Sequence, residues 1–148
     1  MKEREVFPSL NTKTPDGRRP NGRPYRVMVV ENNEFQRKLL IQILESEAYE
    51  IVASAENGKQ GLEKFMKVDP PPEIVVTDLD MPVLDGYAML YELNRKSTRP
   101  IVVFISEETT KGVMQDLISM GIGDFILKPI DRKVLLERLK KVIKTANL

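Results

Sequence analysis

The 148-residue chain contains no cysteine and no histidine. It can form no disulfide, no thiolate or imidazole zinc site, and no Cys–His or Ser–His–Asp nucleophile system. Nor is there an imidazole to carry a phosphoryl group. A metal would have to sit on oxygen ligands, which points to a hard cation such as Mg²⁺. An excess of charge of one sign is also missing. Lys and Arg total 23 against 22 Asp and Glu, a net charge of +1, so no global field favours nucleic acid or anionic lipid. No apolar run approaches the ~20 residues of a membrane span. The opening residues, MKEREVFPSL, lack the hydrophobic stretch of a secretory signal. A cytoplasmic setting is expected, and the length suits one domain.

The first 24 residues differ from the rest. They hold four of the ten prolines (Pro8, Pro15, Pro20, Pro24), together with Gly17 and Gly22. Only Val6, Phe7 and Leu10 could anchor them to a core. They read as a disordered or loosely docked tail, residues 1–24, ahead of a folded domain over 25–148.

From Tyr25 onward, strand and helix signals alternate. Short β-branched runs fall at 25–31, 49–55, 73–77, 100–105 and 124–127. Helical periodicity falls at 34–46, 58–67, 87–95, 110–120 and 132–145. Phe35, Leu39, Leu40, Ile43 and Leu44 mark the inner face of the first helix, and Leu62, Phe65 and Met66 that of the second. Asn33 with Gln36 three residues later fits a capping box. Asp131 fits an N-cap, and Gly121 a helix-ending position. Five βα units with strands apolar on both faces imply a parallel sheet covered on both sides. The expected fold is α/β, a (βα)₅ flavodoxin-like three-layer sandwich with strand order 2-1-3-4-5.

In such sheets ligands bind beyond the carboxyl ends of the strands. There the first strand ends in Glu31-Asn32-Asn33, the third in Asp78-Leu79-Asp80, the fourth in Ser106-Glu107-Glu108, and the fifth in Lys128-Pro129. Singly these residues say little, since an Asp after a strand is usually a turn or cap. Together they equip one rim to hold a phosphoryl group. Asp78 can act as nucleophile, Mg²⁺ and Lys128 can offset charge on the transferred oxygens, and Ser106 can donate a hydrogen bond.

The segment VVTDLDMPVLDG, residues 75–86, closely resembles the phosphoacceptor region of the receiver domains of bacterial two-component response regulators. The resemblance covers residues 25–146 and is nearest to the CheY-like single-domain type. It implies a phosphoacceptor at Asp78, with Ser106 and Lys128 contacting the phosphoryl group. It also implies a switch pair of Ser106 and Phe125, and a cis peptide between Lys128 and Pro129. Metal ligation would come from Glu31, Asn32, Asp78 and Asp80. Receivers usually carry two adjacent acidic residues at the end of the first strand. Glu31-Asn32 departs from that, so Mg²⁺ binding is expected to be weak.

The implied function is a response regulator, not an enzyme beyond its own phosphorylation and dephosphorylation. It would take its phosphoryl group from a histidine kinase. Little chain follows Lys128, so output is expected by protein contact, through the fourth helix, fifth strand and fifth helix at about 109–146. A flagellar switch or another signalling protein would be the partner. Two alternatives stay open. One is a pseudo-receiver that binds a partner without phosphorylation, motivated by Asn32. The other is a haloacid-dehalogenase-type phosphohydrolase, motivated by Asp78-Leu79-Asp80. Arg138, Lys140, Lys141 and Lys144 read as a solvated helix face rather than a nucleic-acid site.

Overall fold

The computed structural model describes residues 14–148. Its elements in order are β1 (Arg26–Val30), α1 (Glu34–Ser46), β2 (Glu50–Ala55), α2 (Gly58–Lys67) and β3 (Ile74–Thr77), then α3 (Gly86–Leu93), β4 (Ile101–Ser106), α4 (Lys111–Ser119), β5 (Asp124–Leu127) and α5 (Arg132–Ala146). All strand pairs are parallel and the order is β2-β1-β3-β4-β5. The expected flavodoxin-like sandwich is the one that forms.

Its two cores follow from the period of two along each strand. Val27 and Val29 of β1, Val76 of β3, and Val103 and Ile105 of β4 pack with Leu40 and Leu44 of α1 and with Leu135 and Leu139 of α5. Their neighbours Met28, Val30, Val75, Val102 and Phe104 point the other way, onto Phe65 of α2, Met89 and Leu93 of α3 and Leu117 of α4. Each fully buried side chain of this size contributes roughly 1.5–3 kcal/mol against an exposed one. All five helices begin at the carboxyl ends of the strands. Each has an N-cap, Asn33, Asn57, Asp85, Thr110 or Asp131, whose side chain accepts the N–H three residues on. Met120 ends α4 and Gly121 follows at φ +83°. No helix among the described residues is long and apolar enough to cross a membrane.

Two side chains expected inside are outside. Phe35 is 75% exposed, because the first turn of α1 projects beyond the strand ends, where no sheet lies beneath it. Met66 is 63% exposed. The buried stripe of α2 runs through Gly58, Gly61 and Phe65, and Met66 is turned past it. The capping box forms only by half: Asn33 caps the Gln36 N–H, but the Asn33 N–H donates to Glu31 Oε2 at 2.9 Å. Gln36 Oε1 is left buried with no hydrogen-bond partner among the described residues.

The expected loose tail lies partly outside the described residues, at 1–13. Over 14–24 the chain is docked, not loose. Backbone hydrogen bonds link Gly17 N–H to Glu47 O (2.7 Å) and Tyr25 N–H to Gly17 O (2.8 Å). Composition could not show this, because backbone pairing rather than apolar burial holds the segment.

Candidate functional site

Asp78 leaves β3 with its N–H bonded to Val30 O at 3.0 Å, which keeps it in line with the sheet, and it is buried. The turn beyond it needs Gly86, because a Cβ there would collide with the Asp78 carbonyl and press on Phe104. Asp78 Oδ1 accepts the Leu79 N–H at 2.7 Å. Asp78 Oδ2 accepts from Lys128 Nζ at 2.9 Å. The same ammonium donates to Glu31 Oε1 at 3.0 Å. Glu31 is 2% exposed, and the Lys128 side chain 9%. One cation thus bridges two buried carboxylates that lie 47 residues apart in sequence.

Burial pulls the Lys128 ammonium down, but hydrogen bonds and charge from Asp78 and Glu31 outweigh it, and the net shift is upward from 10.5. Lys128 is placed by its own N–H, which donates to Ser106 O at 2.8 Å, and by the cis Lys128–Pro129 peptide that follows. A second cis peptide, Asp69–Pro70, lies between α2 and β3.

Around these groups is a cavity of about 220 Å³ lined by Glu31, Asn32, Asn33, Gln36, Asp78, Asp80, Ser106, Glu107 and Lys128. All the residues singled out for phosphoryl and metal binding meet there. They differ in exposure: Ser106 is 1% exposed, whereas Asn32 and Asp80 stand at the open rim. Asn32 Nδ2 reaches toward Glu56 O at 3.5 Å. Phe125 does not line this cavity. It is buried and stacked on Phe104, with ring centroids 6.0 Å apart and planes 13° apart. It forms part of the wall of an adjoining apolar groove of about 1060 Å³, into which Phe35, Leu127 and Met114 also face.

The donor set is all hard oxygen, which suits Mg²⁺. Among the described residues no three acidic side chains are gathered closely enough to hold an ion by themselves. Mg²⁺ usually keeps several waters and needs one or two protein carboxylates, and Glu31 and Asp78 supply two. The residues fit the ion, with one carboxylate fewer than an acidic residue at position 32 would give.

Sequence reasoning gave no site role to three residues. Gln36, read only as a capping partner, and Glu107, noted only at the end of the fourth strand, both line the cavity. Asp124, at the start of β5, accepts from Nε and Nη2 of Arg138, each at 2.6 Å, and Nη2 also donates to Phe125 O at 3.2 Å. Arg138 had read as part of a solvated face; the signal that could have found it was the acidic Asp124 beside Phe125.

Comparison with known proteins completes the assignment. The description "Response regulator receiver domain" matches residues 27–140. The chain belongs to the receiver family. It is 37% identical over 144 residues to a chemotaxis protein CheY of Treponema pallidum, covering 97% of this chain and 100% of that one. It is 31% identical over 119 residues to the CheY of Bacillus subtilis, covering 80% and 98%. Among solved structures, a CheX–CheY–BeF₃–Mg²⁺ complex from Borrelia burgdorferi contains a chain that superposes with a TM-score of 0.83 at 30% identity, covering 88% and 98%. This is a CheY-like receiver, and the family assignment replaces the haloacid-dehalogenase reading.

Proposed function

We propose that this receiver accepts a phosphoryl group on Asp78 from a histidine kinase and signals by protein contact from the cytoplasm. The carrying observation is the Lys128 bridge: a buried cation already touching the acceptor carboxylate, in a cavity that Ser106 also lines. An oxygen of Asp78 would attack phosphorus and form the O–P bond as the P–N bond of the donor phosphohistidine breaks, leaving the imidazole to take up a proton. Lys128 and Ser106 then face the transferred oxygens as counter-charge and hydrogen-bond donor. Mg²⁺ held by Glu31 and Asp78, with Asn32 and Asp80 at the rim, would supply further counter-charge when bound. The exposed apolar pair Phe35 and Leu127, beside the cavity, offers a protein donor a place to rest. Output would run through α4, β5 and α5. Phosphorylation draws Ser106 toward the phosphoryl oxygen, and Phe125 follows, a two-state element biased by a local charge.

The test is incubation with Mg²⁺ and a small acyl phosphate, followed by intact mass. One phosphoryl group should appear on the wild type and none on Asp78→Asn. Asn32→Asp restores a third carboxylate and should tighten Mg²⁺ by roughly 5- to 150-fold, about 1–3 kcal/mol at 1.36 kcal/mol per decade. No uptake by the wild type, with Mg²⁺ affinity indifferent to position 32, would instead favour a pseudo-receiver that works by contact alone.

A further inference from the structure

Residues 14–24 wrap the amino-terminal end of the sheet, opposite the phosphoryl cavity, and reach α5 directly through Asp16 and indirectly through Glu47. Glu47, in the turn after α1, is the node. Its carbonyl accepts the Gly17 N–H at 2.7 Å, and its Oε1 accepts the Asp16 N–H at 2.9 Å. Its Oε2 faces Arg132 at 3.5 Å, and the same guanidinium donates to Ser46 Oγ at 3.0 Å. Asp16 also lies 3.8 Å from Lys140, two turns further along α5. Arg18 and Pro24 close the segment on itself by an antiparallel bridge. Arg19 lies over the Tyr25 ring at 4.4 Å and pairs with Glu73, the residue before β3.

The fit is tight rather than incidental. A Cβ on Gly17 would collide with Tyr49 N and Glu47 O, so only glycine allows the segment to approach the turn. Beneath it Tyr25 and Tyr49 are buried, 6.3 Å apart between ring centres. The match to the Treponema CheY leaves only about 3% of this chain uncovered and so includes this segment, whereas the Bacillus match spans 80%, about the length of the domain without it.

We infer that residues 14–24 are a brace that holds the first and third turns of α5, through Glu47–Arg132 and Asp16–Lys140. The brace sets the rigidity of that helix, which begins four residues after Lys128. It is a conformational device and does not depend on phosphorylation of Asp78.

The experiment is amide hydrogen exchange by mass spectrometry on the full chain, comparing wild type with Gly17→Val. The brace should lose protection, and α5 peptides (132–146) should exchange about ten-fold faster. Peptides from α2, on the other face of the sheet, should change less than two-fold. Arg19→Ala, which loosens the brace without a steric clash, should give the same pattern at smaller amplitude and serves if Gly17→Val does not fold. Loss of protection in the brace with α5 unchanged within two-fold, in either variant, would overturn the inference. So would an equal acceleration of α2 and α5 in Arg19→Ala, since the effect would then be global destabilisation.

Discussion

Without the Lys128 ammonium, Glu31 and Asp78 would be two buried anions that have lost the cation bridging them. Lys128→Met should therefore destabilise the fold by about 3–5 kcal/mol, the usual cost of removing one partner of a buried pair, read from urea midpoints at neutral pH. The pH dependence has a definite sign. A lysine whose folded value is raised contributes stability that is fully present below its ordinary value and is lost as pH rises through the folded one. The melting temperature of the wild type should fall above about pH 10.5, and the Lys128→Met difference should shrink there. Gln36 behaves oppositely. Its Oε1 is buried without a partner among the described residues, and an apolar group of similar shape removes an unmet acceptor rather than a bond. Gln36→Met should leave the urea midpoint unchanged or raise it; a clear drop would show that the amide is satisfied in solution. Asp78, Ser106 and Lys128 were legible in the sequence because strand ends in a parallel sheet share one rim. The Glu31–Lys128 contact was not, because it depends on which oxygen a long side chain turns toward an amine 97 residues away.

Among the elements, the loop from β3 to α3 carries a local strain that its motif conceals. Val83 sits at φ +69° and is 75% exposed, a conformation costing an L-residue roughly 1–2 kcal/mol. Glycine removes that cost but adds back about 0.5–1 kcal/mol of chain entropy. Val83→Gly should thus stabilise the protein by about 0.5–1 kcal/mol, checked by denaturant unfolding with an unchanged slope. Helix positions were legible to within two residues because caps and periodicity agree; α1, α2 and β5 have the bounds read from the sequence. Phe35 was misread because periodicity reports a face of a helix and not how far the sheet extends beneath it. The brace was misread because proline, glycine and a poverty of apolar residues look the same in a free tail and in a segment held by backbone hydrogen bonds.

At the scale of the whole molecule the arrangement has two ends. The carboxyl ends of the strands gather buried charge around Lys128, and the amino ends are closed by the brace. Helix α5 begins four residues after Lys128 and meets the brace through Arg132, on Glu47, and Lys140, on Asp16. Phe125 lies between, stacked on Phe104 and tied through its carbonyl to Arg138. The central claim is that a charge arriving at Asp78 is read along this path at the surface of α4, β5 and α5. The most direct measurement is a backbone amide NMR titration of the full chain with beryllofluoride and Mg²⁺, a stable stand-in for the phosphoryl group. Shifts should appear at the cavity-lining residues and extend through Phe125 and Asp124 into α5, and they should vanish in Asp78→Asn. Shifts confined to the residues lining the cavity, with Phe125 and α5 unmoved, would contradict the account.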